Sequence, residues 1–114
     1  MMNKTLLIGR LTKDPEVRYT PSQKVVTSFT LAVNRDYKNA DGTRDADFIP
    51  IIAWGKIAEM SGNNLTKGIR ILVEGRIQVR SYDDKDGSRR WMTEVIAENI
   101  RFLDPPKQSD SKAE

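Results

Sequence analysis

The feature that most constrains the fold is a two-residue alternation of side chains that recurs along most of the chain. It is clearest from Val25 to Arg35, where every second residue is apolar or β-branched. Strand side chains point alternately to two faces, so this pattern predicts a strand with one buried face. Four further segments are predicted as strands: Lys4–Thr12, Asp47–Lys56, Ile69–Tyr82 and Arg90–Leu103. Only Lys56–Lys67 has a helical period, and Gly68 is predicted to end that helix.

Glycine and turn signals indicate how these strands bend and connect. Gly9 and Gly75 lie inside predicted strands, where glycine marks a bulge or a close approach of another backbone. Asp41-Gly42 and Asp86-Gly87 mark the turns of two hairpin loops. A short segment, Glu16–Tyr19, lies between further turn signals.

Five strands with one short helix describe an all-β fold. Closing the sheet on itself would remove the exposed edges that short strands otherwise present. We therefore predict a five-stranded oligonucleotide-binding (OB) barrel with one short α-helix between strands 3 and 4. The domain is expected to span residues 1–103, and residues 104–114, polar and rich in proline at their start, to form a short disordered tail.

The composition excludes several classes of function. The chain has no cysteine and no histidine, so it lacks thiolate metal ligands and the commonest general base. We expect no enzymatic activity, no cofactor and no metal. No apolar run reaches the roughly 18 residues of a membrane helix, and no secretory signal is visible, so no membrane partner is expected. The two hairpin loops carry acidic clusters, for which we favour turn chemistry over metal binding: Asp36, Asp41, Asp45 and Asp47, then Asp83, Asp84 and Asp86.

The strand Asp47–Lys56 is apolar on both faces. One face carries Ile49, Ile51 and Ala53, which offer a core stripe; the other carries Phe48, Pro50, Ile52 and Trp54. We predict that Phe48 and Trp54 are exposed as a platform for stacking. Phe29 and Trp91 are predicted to pack in the core. Pro50 has no N–H, so its nitrogen should face an open edge or a bulge.

Several motifs in collinear order resemble bacterial and phage-type single-stranded DNA-binding proteins: Asn3–Tyr19, Ala32–Arg35, Trp54–Glu59, Lys67-Gly68, Val73–Tyr82 and Trp91–Val95. The resemblance implies an OB barrel, assembly as a homotetramer, and a cytoplasmic protein of a bacterial nucleoid or phage-infected cell. It also implies binding of single-stranded DNA in replication, recombination, repair or uptake. Full-length relatives end with an acidic tip that recruits other proteins. This sequence stops without one, as a natural short form or a truncation, so recruitment through a tip is not expected.

Two sets of residues are expected to bind DNA, the first from matching the motifs position by position and the second because its cations lie in or beside the motif segments. The aromatic residues expected to stack on bases are Tyr37, Phe48, Trp54 and Tyr82. The cations expected to contact phosphates are Lys4, Arg10, Arg18, Arg35, Lys56, Arg76, Arg80 and Arg90. Flat aromatics and cations together suit sequence-tolerant binding, because every base has a π-face and every nucleotide a phosphate. Pro50 stands where relatives usually carry a polar residue, which puts an ionic role there in doubt.

One alternative function remains open at this point. A barrel of the same ancestry could act mainly as a protein-assembly module that binds nucleic acid weakly. Such a module would not need four aromatics in the stacking positions, so the aromatics favour DNA binding.

Overall fold

The computed structural model describes residues 1–105, and the part of the predicted tail from residue 106 onward lies outside the described residues. It contains six strands and one helix. Their bounds are β1 (Thr5–Leu11), β2 (Glu16–Tyr19), β3 (Val25–Asn34), β4 (Ala46–Trp54), α1 (Gly55–Asn64), β5 (Arg70–Asp83) and β6 (Arg89–Phe102). The five predicted strands are confirmed, and Glu16–Tyr19 adds a sixth.

The five long strands close into a ring. The strand order is β1-β5-β6-β4-β3-β2, and an additional pairing between β1 and β3 closes the sheet. Neighbouring strands are antiparallel except β4 and β6, which pair in parallel at Ile51 with Val95 and Ile52 with Ile96. Strand β2 pairs with the first four residues of β3 and adds a short outer strand to the sheet at that end. The predicted order, with one helix between the third and fourth long strands, is confirmed.

Both predicted glycine positions are places of close backbone approach. A Cβ at Gly9 would collide with the carbonyl oxygen of Ala32, and one at Gly75 with that of Ile96. The pairing of β5 with β6 also shifts register at Gly75, as expected of a bulge. These glycines allow β1 and β5 to bend tightly enough for the sheet to close.

The core fills the inside of the ring with alternate residues of the strands. Ile51 and Ala53 are fully buried, and Ile49 packs against the core from its rim. Phe29 is buried as predicted, with 6% of its surface exposed. The prediction that Trp91 is buried is wrong, because 68% of its surface is exposed.

The reason for the exposure of Trp91 is the length of the β5–β6 hairpin. Strand β4 pairs with β6 only at Val95 and Ile96, so residues 76–83 and 89–94 project past the ring as a two-stranded arm. Trp91 is on the face of β6 that is buried inside the ring further along the strand. On the arm, however, no other strand or helix of residues 1–105 packs against that face.

Helix α1 ends at Asn64, earlier than predicted. Leu65 leaves the helical path with an extended backbone and buries its side chain, so the helix cannot continue to Lys67. Gly68 is therefore not a helix cap. It takes a φ of 86° in a turn closed by a hydrogen bond from Ile69 N to Thr66 O.

Asp104 is tied to the folded domain. Its carboxylate accepts hydrogen bonds from the Arg10 guanidinium at 3.1 Å and from the backbone N–H of Arg70 at 3.1 Å. Within residues 1–105, no helix is long and apolar enough to cross a membrane.

Candidate nucleic-acid interface

The outer face of β4 carries the predicted stacking platform. Phe48 and Trp54 alternate with the buried residues of the strand and are 66% and 46% exposed. Their predicted exposure is confirmed. They lie six residues apart, or about 20 Å at the rise of a strand, so one base cannot contact both.

A groove of about 580 Å³ crosses this same outer face. Its floor is formed by residues of β3 and β4: Ser28, Thr30, Pro50 and Ile52. Lys13 and Arg18 lie on one side, and Arg80 lies on the other. Pro50 is opposite Thr30 on β3. The pairing of β4 with β6 is restricted to Ile51 and Ile52, so at Pro50 the backbone of β4 is not paired with β6. Its ring gives the groove an apolar floor.

The β5–β6 arm continues the groove face. In the antiparallel register, Arg80 is opposite Met92 and Tyr82 is opposite Arg90, so the four side chains share one side of the arm. The Arg80 guanidinium carbon lies 5.7 Å from the centroid of the Tyr82 ring, within cation–π distance. Trp91 lies on the opposite side of the arm.

A second aromatic–cation pair lies at the base of the β3–β4 loop. Arg35 donates a hydrogen bond to the Tyr37 hydroxyl at 3.2 Å and forms an ion pair with Asp47 at 2.8 Å. The hydrogen bonds from the Arg35 guanidinium hold the pKa of the Asp47 carboxyl below its usual value, and Asp47 in turn raises the pKa of Arg35. Tyr37 is exposed beside this pair.

Residues 2–103 match the model of the single-strand binding protein family. The chain belongs to this family. Its all-β sheet with one short helix is the OB fold that the sequence predicts.

Curated members of the family are closely similar. The chain is 56% identical over 105 residues to a single-stranded DNA-binding protein of Caldanaerobacter subterraneus, covering 92% of this chain and 70% of the relative. It is 56% identical over 110 residues to single-stranded DNA-binding protein 2 of Clostridium acetobutylicum, covering 96% and 82%. Single-stranded DNA-binding protein 2 of Listeria innocua is 52% identical over 110 residues, with 96% and 69% covered.

Carboxylates of the domain itself hold most of the cations expected from the family resemblance. Seven of the eight form ion pairs: Lys4 with Glu74 and Glu98, Arg10 with Asp104, Arg18 with Glu16, Arg35 with Asp47, Arg76 with Glu98, Arg80 with Glu94 and Arg90 with Asp84. Lys56 makes no ion pair within residues 1–105. Pairs in which both side chains are exposed, such as Arg18 with Glu16 and Arg35 with Asp47, are worth about 0–1 kcal/mol, so a phosphate can replace the carboxylate. Glu94 differs from these, because only 4% of its side chain is exposed.

The structure brings some predicted family site residues together and separates others. Arg18 and Arg80 line the groove from opposite sides, and Tyr82 and Arg90 continue it along the arm. Arg10 instead borders a separate hollow beside Arg70, on the outer side of β1. Lys4 lies just before β1, held by the glutamates named above.

The acidic loops are explained by turn chemistry. The Asp41 carboxylate accepts hydrogen bonds from the backbone N–H and hydroxyl of Thr43, which hold its pKa below the usual value. The Asp84 carboxylate accepts backbone bonds from Asp86 and Ser88. No group of three or more potential metal ligands is present among residues 1–105.

Sequence reasoning missed several residues that line the groove, among them Lys13, Met92 and Glu94. Glu94 has only 3% of its surface exposed, yet it borders the groove and forms an ion pair with Arg80. The alternation of β6 places Glu94 with Met92 on one face. The missing information was the register of β6 against β5, which brings that face next to Arg80.

Proposed function

We propose that this protein binds single-stranded DNA with little sequence preference and protects it during replication, recombination, repair or uptake. The observation that carries this proposal is the exposed pair Phe48 and Trp54 on the groove face of β4. The names of the related family members support the same ligand. The proposal describes a binder and not an enzyme, acting in the cytoplasm of a bacterium or phage-infected cell.

Binding would combine base stacking with phosphate contacts. Phe48, Trp54, Tyr37 and Tyr82 would each take a separate base. Phe48 and Trp54 lie far apart on β4, Tyr37 lies in the β3–β4 loop and Tyr82 lies on β5. Arg18 and Arg80 would hold phosphates on the two sides of the groove. Stacking on an aromatic side chain tolerates any base, so this arrangement supports binding without base-specific hydrogen bonds.

The proposed function is tested by titrating the protein with an oligothymidine of about 35 nucleotides, long enough for several binding sites of roughly 4–16 nucleotides. Saturable quenching of tryptophan fluorescence is expected. The affinity should fall as the salt concentration rises, because the protein displaces salt cations condensed on the strand. The logarithm of the affinity should fall with the logarithm of the salt concentration by about 0.7 per phosphate contacted. An absence of saturable quenching at low salt would reject the proposal and favour the protein-assembly module.

Removal of the carboxylate that holds Arg35 is expected to strengthen binding. Asp47→Asn frees the Arg35 guanidinium for a phosphate and removes a negative charge near the platform. We expect the affinity for oligothymidine to rise about two- to fivefold, because an exposed ion pair is worth about 0–1 kcal/mol. Fluorescence titration at several salt concentrations measures both affinity and salt slope.

The matched control for this change is Glu59→Gln, which removes one negative charge from the exposed surface of helix α1. It should leave the affinity within twofold of that of the unchanged protein. Weaker binding by Asp47→Asn would show that Asp47 supports Arg35 and does not compete with DNA.

We also propose that the chain self-associates as a homotetramer. Exposed apolar side chains support this: Leu6 and Ile8 on β1, and Ile77, Val79 and Trp91 on the arm. Leu6 and Ile8 share one face of β1, and Ile77, Val79 and Trp91 share one side of the arm; large contiguous apolar patches of this kind are rare on monomeric proteins. Sedimentation should give a mass about four times the 13.0 kDa of the chain. A species at the monomer mass would contradict this assembly.

A further inference from the structure

Glu94 is the one carboxylate that borders the DNA groove while being almost fully buried. Its Oε1 accepts a hydrogen bond from Arg80 Nε at 3.0 Å, and no buried polar side-chain atom in the described part of the chain lacks a partner. A negative charge beside a path for phosphates should weaken binding if charge alone mattered. Its position therefore needs another explanation.

The contacts of Arg80 supply that explanation. The Nε atom is held by Glu94, Nη2 lies 3.5 Å from the Met92 sulfur, and the guanidinium stands over the Tyr82 ring. About half of the Arg80 side chain stays exposed although its Nε and Nη2 atoms have these partners. Glu94 fixes one end of a long flexible side chain and leaves the other free for a ligand.

We propose that Glu94 is a positioning residue for DNA binding, which holds the Arg80 guanidinium beside Tyr82 so that the two contact a nucleotide as one preformed unit. This inference rests on the proposed function. An arginine has many rotamers, and fixing it before binding removes an ordering cost that would otherwise weaken the complex. Glu94 acts through Arg80, because its own carboxylate is too buried to contact DNA.

The positioning role is tested by whether one substitution raises or lowers the affinity for oligothymidine. Glu94→Gln keeps the size of the side chain and removes its charge, so an electrostatic account expects tighter binding. The positioning role expects the affinity for oligothymidine to fall about three- to tenfold, as one long side chain loses its fixed geometry. The slope of log affinity against log salt concentration should stay close to that of the unchanged protein, because Arg80 still reaches its phosphate and only the cost of ordering it has risen. Affinity equal to or above that of the unchanged protein would overturn the proposal.

A double-mutant cycle separates positioning from a structural role. In an Arg80→Ala background, Glu94→Gln should cause no further loss, because the residue it acts through is gone. An equal loss in both backgrounds would overturn the proposal. Glu94→Asp keeps the charge but draws the carboxylate back by one methylene, so it should also weaken binding; full affinity in this variant would count against the proposal.

Controls separate this inference from the proposed function. Asp47→Asn removes a charge from an exposed pair and should strengthen binding, whereas Glu94→Gln removes one from a buried pair and should weaken it. Thermal unfolding verifies that each variant is folded. If the unchanged protein does not bind oligothymidine, the proposed function fails. If it binds and Glu94→Gln binds as well, only the positioning role fails.

Discussion

Trp54→Ala is expected to weaken binding of oligothymidine by about 5- to 150-fold. Stacking of one base on an aromatic side chain is worth roughly 1–3 kcal/mol, and alanine removes the ring. Trp54 is the last residue of β4, opposite Val26 on β3, and its position is fixed by the pairing of these strands. Because the strand presents the ring already oriented, little of the stacking energy is spent on ordering it.

Fluorescence anisotropy of a labelled oligothymidine measures the affinity of each variant, and tryptophan quenching reports which of the chain's two tryptophans stacks on a base. Trp91→Phe is the matched control. Trp91 lies on the side of the β5–β6 arm opposite Tyr82, away from the groove, so its loss should leave affinity within about twofold. The quenching should persist in Trp91→Phe and disappear in Trp54→Ala. Quenching that follows Trp91 would place the bound strand on the other side of the arm and contradict the proposed interface.

The faces of β4 were predictable from sequence because they depend only on local geometry. Strand side chains alternate, so placing Ile51 and Ala53 inside leaves Phe48 and Trp54 outside, whatever the partner strands are. The glycines were predictable for a similar reason. A strand residue without a side chain is useful where another backbone comes close, and both Gly9 and Gly75 meet a carbonyl of a neighbouring strand.

Features that depend on how far one element extends past another were not predictable. Trp91 lies on the core side of its strand, yet it is exposed because the arm extends beyond the pairing of β4 with β6. The helix ends early because Leu65 finds a buried site that periodicity does not reveal. In both cases burial is decided by a distant segment of the chain.

The pair Arg80 and Glu94 shows the same limit for the binding site. The two residues are 14 positions apart, and they become neighbours only through the register of the β5–β6 hairpin. A shift of one residue would move Glu94 to the other face of the arm. The family motifs therefore indicate which cations to test for DNA contact, but not which carboxylates hold them.

Gly9→Ala is expected to lower the free energy of unfolding by about 3 kcal/mol, the upper end of the usual cost of overpacking. The added Cβ would overlap the carbonyl oxygen of Ala32 and lie 3.0 Å from Leu31 Cγ in the core. A backbone carbonyl in a paired strand cannot rotate away as a side chain can. Strand β1 would have to move from β3, with which it pairs at Arg10 with Ala32 and Leu11 with Leu31.

Urea unfolding at one protein concentration measures this loss, because assembly makes stability depend on concentration. Gly42→Ala is the control. Its φ is 90° and an added Cβ would meet nothing within 4 Å, so only backbone strain of about 1–2 kcal/mol is expected. Ala32 is also the β3 partner of Phe48, so opening the ring at Gly9 should disturb the stacking platform as well. A Gly9→Ala protein as stable as Gly42→Ala would show that the sheet does not depend on this close approach for its closure.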